Sequence, residues 1–132
     1  MKFRVLLVSN FPAELQADGS RLSVSDFLNQ KLDAGLRNAI AFSGPISRSD
    51  LGVELSFASD AKFTKIDGLL ALTFILNVEG NSVGPKDVAS TYEEYIPIMG
   101  NRFSGLVMGD TSMMAVFGSY PLEFTLDSVG PA

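Results

Sequence analysis

The sequence contains no cysteine, no histidine and no tryptophan. Those absences remove disulfide scaffolds, thiolate and imidazole metal sites, cysteine nucleophiles and every catalytic triad that needs an imidazole base. A chain without thiols is equally at home in reducing and oxidising surroundings, so the compartment stays unassigned. Charge is scarce as well: 19% of residues are Asp, Glu, Lys or Arg, against roughly 25% in ordinary domains. The longest apolar run, Leu69 to Leu76, is far below the roughly 20 residues of a membrane-spanning helix. Val5-Leu6-Leu7-Val8 is too short for the apolar region of a signal peptide and no small-residue cleavage site follows it. We therefore read an unprocessed, soluble chain.

The charge that is present has the wrong sign for nucleic acid. Ten basic and fifteen acidic residues give a net charge of −5, whereas a phosphate backbone asks for a basic patch. No Lys or Arg follows Arg102, and the last 30 residues carry only Asp110, Glu123 and Asp127. No glycine-rich loop cradles a phosphate, and no acidic pair follows the first strand to hold a magnesium ion. No cofactor is called for.

What remains is the composition and pattern of one globular domain. At 132 residues the chain is long enough to bury roughly two thirds of its unfolded surface. Met1 to Val8 is β-branched and aliphatic and reads as a first strand closed by Ser9-Asn10-Phe11-Pro12. Ala13 to Arg21, with its Asp18-Gly19-Ser20 turn signal, reads as a surface loop. Ser23 is a helix N-cap with Asp26 three positions on. Val24, Leu28, Leu32, Leu36 and Ile40 then form an apolar stripe that predicts one helix ending before Gly44-Pro45.

Leu51 to Phe57 alternates as a half-buried strand, with a hairpin near Lys62 to Lys65, and Leu69 to Val78 reads as a central strand. Pro85 opens a second helix whose buried stripe is Val88, Tyr92, Tyr95 and Ile96, and which Pro97 ends or kinks. Phe103–Met108, Met113–Phe117 and Tyr120–Leu126 read as strands separated by turns at Gly109-Asp110 and Gly118-Ser119. The expectation is a single α+β domain over residues 1–132: a mainly antiparallel sheet with two helices, in the order β-α-β-β-α-β-β.

Two functional readings come from different classes. Mean hydropathy is positive at +0.23, more apolar surface than so small a core holds, so the surplus needs a partner. The first reading is a non-catalytic assembly protein that packs against copies of itself or against other subunits of a particle. A small viral capsid, tail or decoration subunit fits the missing reactive side chains, and the virion is then its location. Its expected interface is Met99, Phe103, Leu106, Val107, Met108, Met113 and Met114, with Ala13 to Leu22 as a second contact. The second reading is a small ligand-binding or isomerase-like domain with an aromatic cavity lined by Phe57, Phe74 and Tyr120. Asp26, Glu54 and Tyr92 would then do any acid–base work. Glu93-Glu94 diverge by about 100° on a helix and read as a solvated face.

Overall fold

The computed structural model describes every residue from Met1 to Ala132. In chain order the elements are β1 (Lys2–Pro12), β2 (Glu14–Ala17), β3 (Ser20–Ser23), α1 (Val24–Lys31), α2 (Ala34–Ala41), β4 (Ile46–Arg48), β5 (Val53–Ile66), β6 (Leu69–Gly80), α3 (Pro85–Glu93), α4 (Ile96–Met108), α5 (Thr111–Phe117) and β7 (Phe124–Pro131). Five strands form one antiparallel sheet in the order β4-β5-β6-β1-β7, and β2 pairs only with β3. The α+β class and the mainly antiparallel sheet are as the sequence implies. The order differs, with five helices instead of two.

Alternation builds the sheet. Phe3, Val5, Leu7, Ser9 and Phe11 of β1 are buried on one face, beside Leu70, Leu72, Phe74, Leu76 and Val78 of β6. Asp67 and Gly68, with φ of 51° and 78°, make the tight left-handed turn that suits the twist of a hairpin and join β5 to β6. Asp18 and Gly19 (φ 52° and 76°) do the same between β2 and β3, so the expected surface loop is a hairpin. Strand β5 runs through Lys62 to Lys65 without turning; its register shifts between Leu55 and Phe57 and again between Ser59 and Lys62. Such bulges bend a strand. The sheet accordingly curls around its helical layer, and α3 touches both β5 and β7, strands separated in the sheet by β6 and β1.

The helix expected from Ser23 onwards is two helices. The Ser23 hydroxyl accepts from the Asp26 N–H at 3.3 Å and starts α1. Asp33 caps α2, its Oδ1 accepting from the Leu36 N–H at 2.8 Å. The apolar stripe continues across the break because Leu28, Leu32 and Ile40 are all buried. Arg37 bridges the break by donating from Nη1 to the carbonyls of Asn29 and Leu32, which would otherwise lack partners at the end of α1.

The same helices seal a strand edge. Strand β4 covers β5 only from Val53 to Leu55. Further along, the Asn29 amide donates to the Phe63 carbonyl and accepts from the Phe63 N–H, both at 2.9 Å, as a neighbouring strand would. Arg37 Nε donates to the Ala61 carbonyl and Asn38 Oδ1 accepts from the Ala61 N–H, each at 2.9 Å. An edge left bare would be a template for aggregation.

Helices α4 and α5 replace two predicted strands. Pro97 does not end a helix; it lies in the first turn of α4, where a missing N–H costs nothing. Gly109-Asp110 is not a hairpin turn. Asp110 caps α5, accepting from the N–H groups of Ser112 and Met113 at 3.0 and 3.1 Å. A glycine is required at position 80, where φ is +151° and a Cβ would sit 2.3 Å from the Gly52 carbonyl oxygen. The core of thirty side chains lies between the curled sheet and the helices. Phe103 of α4 occupies its lower end, with ring centroids 5.5 to 6.0 Å from those of Phe63, Phe117 and Phe124.

Candidate functional site

Helix α4 lays one stripe on the core: Met99, Phe103 and Val107, four residues apart, are all buried. Its other positions, with α5 and the connection to β7, form the most apolar part of the surface. The seven exposed large apolar side chains are Met1, Leu22, Phe57, Ile98, Met108, Met114 and Tyr120, of which the last four belong to this segment. Met108 is 76% exposed. From Ile96 to Leu122 the only charged residues are Arg102 and Asp110.

Between α4 and the Gly118–Leu122 connection lies a groove of about 310 Å³, walled by Val107, Met108, Met114, Phe117, Tyr120 and Leu122. Past Ser104 and Leu122 it continues into a hollow of about 380 Å³, where Glu123 stands at the rim. Its outer wall is fixed. The Asn10 side chain donates to the Pro121 carbonyl and accepts from the Glu123 N–H, both at 2.9 Å. The Tyr120 hydroxyl donates to the Asn10 carbonyl at 3.0 Å, and its ring meets Phe11 edge-on at 5.1 Å. On the α5 side, Lys31 of α1 holds Asp110 at 3.0 Å. The Ser112 hydroxyl, the Lys31 ammonium and the Met113 N–H together keep the Asp110 carboxyl well below the usual carboxylate range. The groove is thus preformed and apolar, with Glu123 at one margin and the Lys31-paired Asp110 on the α5 side.

A second uncovered surface is the outer face of the sheet. Register places Lys2, Arg4, Leu6 and Val8 of β1 beside Asn77, Ile75, Thr73 and Ala71 of β6, with Phe57 and Lys62 of β5 on the far side. Leu6, Val8, Ile75 and Leu69 are only half-buried and do not pack on the core. Lys2, Arg4 and Lys62 are exposed and belong to none of the five ion pairs. Glu54 and Glu79 oppose each other at one end of this face.

Of the seven residues expected at an interface, Met108 and Met114 are exposed and Leu106 is half-buried. Met99, Phe103, Val107 and Met113 belong instead to the chain's own core. Strands over Phe103–Met108 and Met113–Phe117 would not separate these side chains, whereas the helical period observed there sends one stripe inward and leaves Met108 and Met114 outside. Ile98, Tyr120 and Leu122 were missed, and only Ile98, adjacent to buried Met99 on a helix, had a periodic signal that places it outside. In the second expected contact, Ala13 is buried and Leu22 is exposed at the end of the β2–β3 hairpin.

The expected aromatic cavity does not form: Phe74 is fully buried in the core, Phe57 stands on the outer sheet face at 57% exposure, and Tyr120 walls the groove. Nor do the acid–base candidates converge. Asp26 is exposed at the start of α1, and Glu54 lies on the outer sheet face. Tyr92 is buried and donates its hydroxyl to the Ala41 carbonyl, and burial pushes its phenol far above its ordinary value. The Tyr95 hydroxyl accepts from the Ser43 N–H and from Arg102, at 2.9 and 2.7 Å. Glu93 and Glu94 are exposed, and Glu94 reaches Arg48 at 3.5 Å.

A polar hollow beside α1 holds Glu14, Arg21 and Lys65, whose charges meet one another at 3.3 and 3.5 Å. No group of three or more Asp and Glu side chains converges as metal ligands would, and no helix is long and apolar enough to cross a membrane. Comparison with protein-family models, with curated proteins and with solved structures finds no match to this chain.

Proposed function

We propose that this chain is a non-catalytic assembly subunit that works by packing against copies of itself or against other subunits of a larger particle. One observation carries the reading: Met108, Met114 and Tyr120 are exposed together around a rigid, nearly uncharged groove. Isolated apolar residues on a surface are ordinary, but a contiguous apolar patch beside a preformed hollow marks a place that another molecule covers. Methionine suits such a contact because its unbranched thioether adapts to the facing surface. The disposition of polar groups supports the same reading, since the buried phenols of Tyr92 and Tyr95 are committed to hydrogen bonds that hold the fold. A capsid, tail or decoration subunit of a virus is the kind of particle component that this composition suits.

The test is the variant Met108→Glu/Met114→Glu. Both side chains are exposed in the isolated chain, so two carboxylates there leave the fold alone but are costly to bury in a contact. The expected result is a fall in sedimenting mass to that of one chain, 14.2 kDa, with the far-ultraviolet circular dichroism of the wild type. An unchanged assembly would remove the groove from the interface.

A further inference from the structure

We infer that the chain assembles head to tail, the outer sheet face of one copy seating on the α4–α5 groove of the next. This rests on the assembly reading above and names the partner: a second copy, presenting a different surface.

Three observations point to it. Apolar side chains stand uncovered on two different surfaces, Phe57 on the outer face of the sheet and Met108, Met114 and Tyr120 at the groove, whose helices pack on the inner face of the sheet. A two-fold contact joins one patch to its own copy and would leave the other bare, whereas a head-to-tail contact covers both with a single kind of interface. The shapes also differ in sense. The sheet curls around its helices, so its outer face is convex, and the α4–α5 surface is a trough.

The charges are complementary between the two surfaces. Lys2, Arg4 and Lys62 flank the apolar band of the sheet face without ion-pair partners. At the groove, Glu123 is exposed and free of ion pairs, and no basic residue follows Arg102 in the sequence. Groove against groove sets Glu123 against its own copy. Sheet against groove sets unpaired cations near an unpaired carboxylate, which fixes the choice of partner and its register. Glu54 and Glu79 confine the basic band to one part of the sheet face. Because such a contact leaves a free surface at each end, it propagates into a ring or a filament.

The experiment is subunit mixing by sedimentation velocity. Met108→Glu/Met114→Glu disables the groove and Arg4→Glu/Lys62→Glu disables the sheet face; all four positions are exposed, and circular dichroism checks each fold. The wild type is expected to form species larger than a dimer. Each variant alone is expected to be a single chain, and an equimolar mixture to give a one-to-one dimer, because each supplies the surface the other retains. A groove variant that stays dimeric would indicate a two-fold sheet contact, and a sheet variant that stays dimeric a two-fold groove contact. Either overturns the proposal, as do two single-chain variants that ignore each other. A wild type that never assembles would instead overturn self-assembly, the part of the reading above on which this contact rests.

Charge exchange gives a second check that does not depend on abolishing the contact. Arg4→Glu and Glu123→Lys are each expected to weaken assembly about tenfold, in line with one lost charge pairing of roughly 1.4 kcal/mol. Combined in one chain they restore it, because the charges at these two positions have been exchanged. No recovery in the double variant would contradict the pairing.

Discussion

Replacing Asn29 by alanine is expected to loosen the edge of the sheet that the helices seal. The side chain makes two hydrogen bonds of 2.9 Å to the backbone of Phe63, in a half-buried place where water replaces them poorly. At roughly 0.5–1.5 kcal/mol net for each, the loss is about 1–3 kcal/mol. Alanine returns about 0.6 kcal/mol through its better helix propensity within α1. The balance is a destabilisation of about 0.4–2.4 kcal/mol. Unfolding entropy near 2.1 cal/mol/K per residue over 132 residues converts each kcal/mol into about 3.6 °C, so the melting temperature should fall by about 1.5–9 °C. Scanning calorimetry measures it, with Asn101→Ala, an exposed site on α4, as the control expected to gain about 0.6 kcal/mol from the same helix propensity. Amide exchange at Phe63 should quicken in the same variant. A melting temperature within a degree of the wild type, with exchange at Phe63 unchanged, would refute the claim that side chains stand in for a missing strand.

Two phenylalanines of the sheet should respond oppositely to truncation. Phe74→Ala, at a fully buried position, is expected to cost about 3–5 kcal/mol through the cavity it leaves, or roughly 11–18 °C. Phe57→Ala, on the outer face, is expected to change the stability of the single chain by less than about 0.5 kcal/mol; equal losses would mean that the faces are misassigned. The Asp110 carboxyl is held below its ordinary value in the fold, so it contributes stability that is complete above the ordinary carboxylate range near pH 4 and is lost as pH falls below it. Asp110→Asn, which keeps a capping oxygen without the charge, should therefore flatten the decline of melting temperature between about pH 5 and pH 2; parallel profiles would contradict the role given to Lys31 and Ser112.

Much of the fold was legible because local rules and packing agree there. The Ser23 cap, the central place of β6 and the proline opening α3 each express one dominant local preference. Elsewhere two patterns competed. Leu106-Val107-Met108 is continuously apolar and suits a strand by composition, yet Met99, Phe103 and Val107 had already set a four-residue period that only a helix satisfies. Asp33 was hidden as a helix start because the apolar stripe runs unbroken through α1 and α2. Asp60, with φ of 54°, lies in the bulge that shifts the phase of β5, and the strand continues past it through the Lys62 to Lys65 segment expected to turn. The apolar excess of the chain was visible in its composition, but not its location. Whether a methionine faces in or out depends on the period of its element, and a strand over residues 103–108 or 113–117 has the wrong one.

The account stands on the uncovered apolar surface being an interface. Sedimentation velocity of the wild-type chain over a wide range of concentration addresses it directly. Assembly predicts that mass rises with concentration to several multiples of 14.2 kDa and returns to a single chain on dilution; one sharp boundary at the mass of a single chain throughout the range would contradict it.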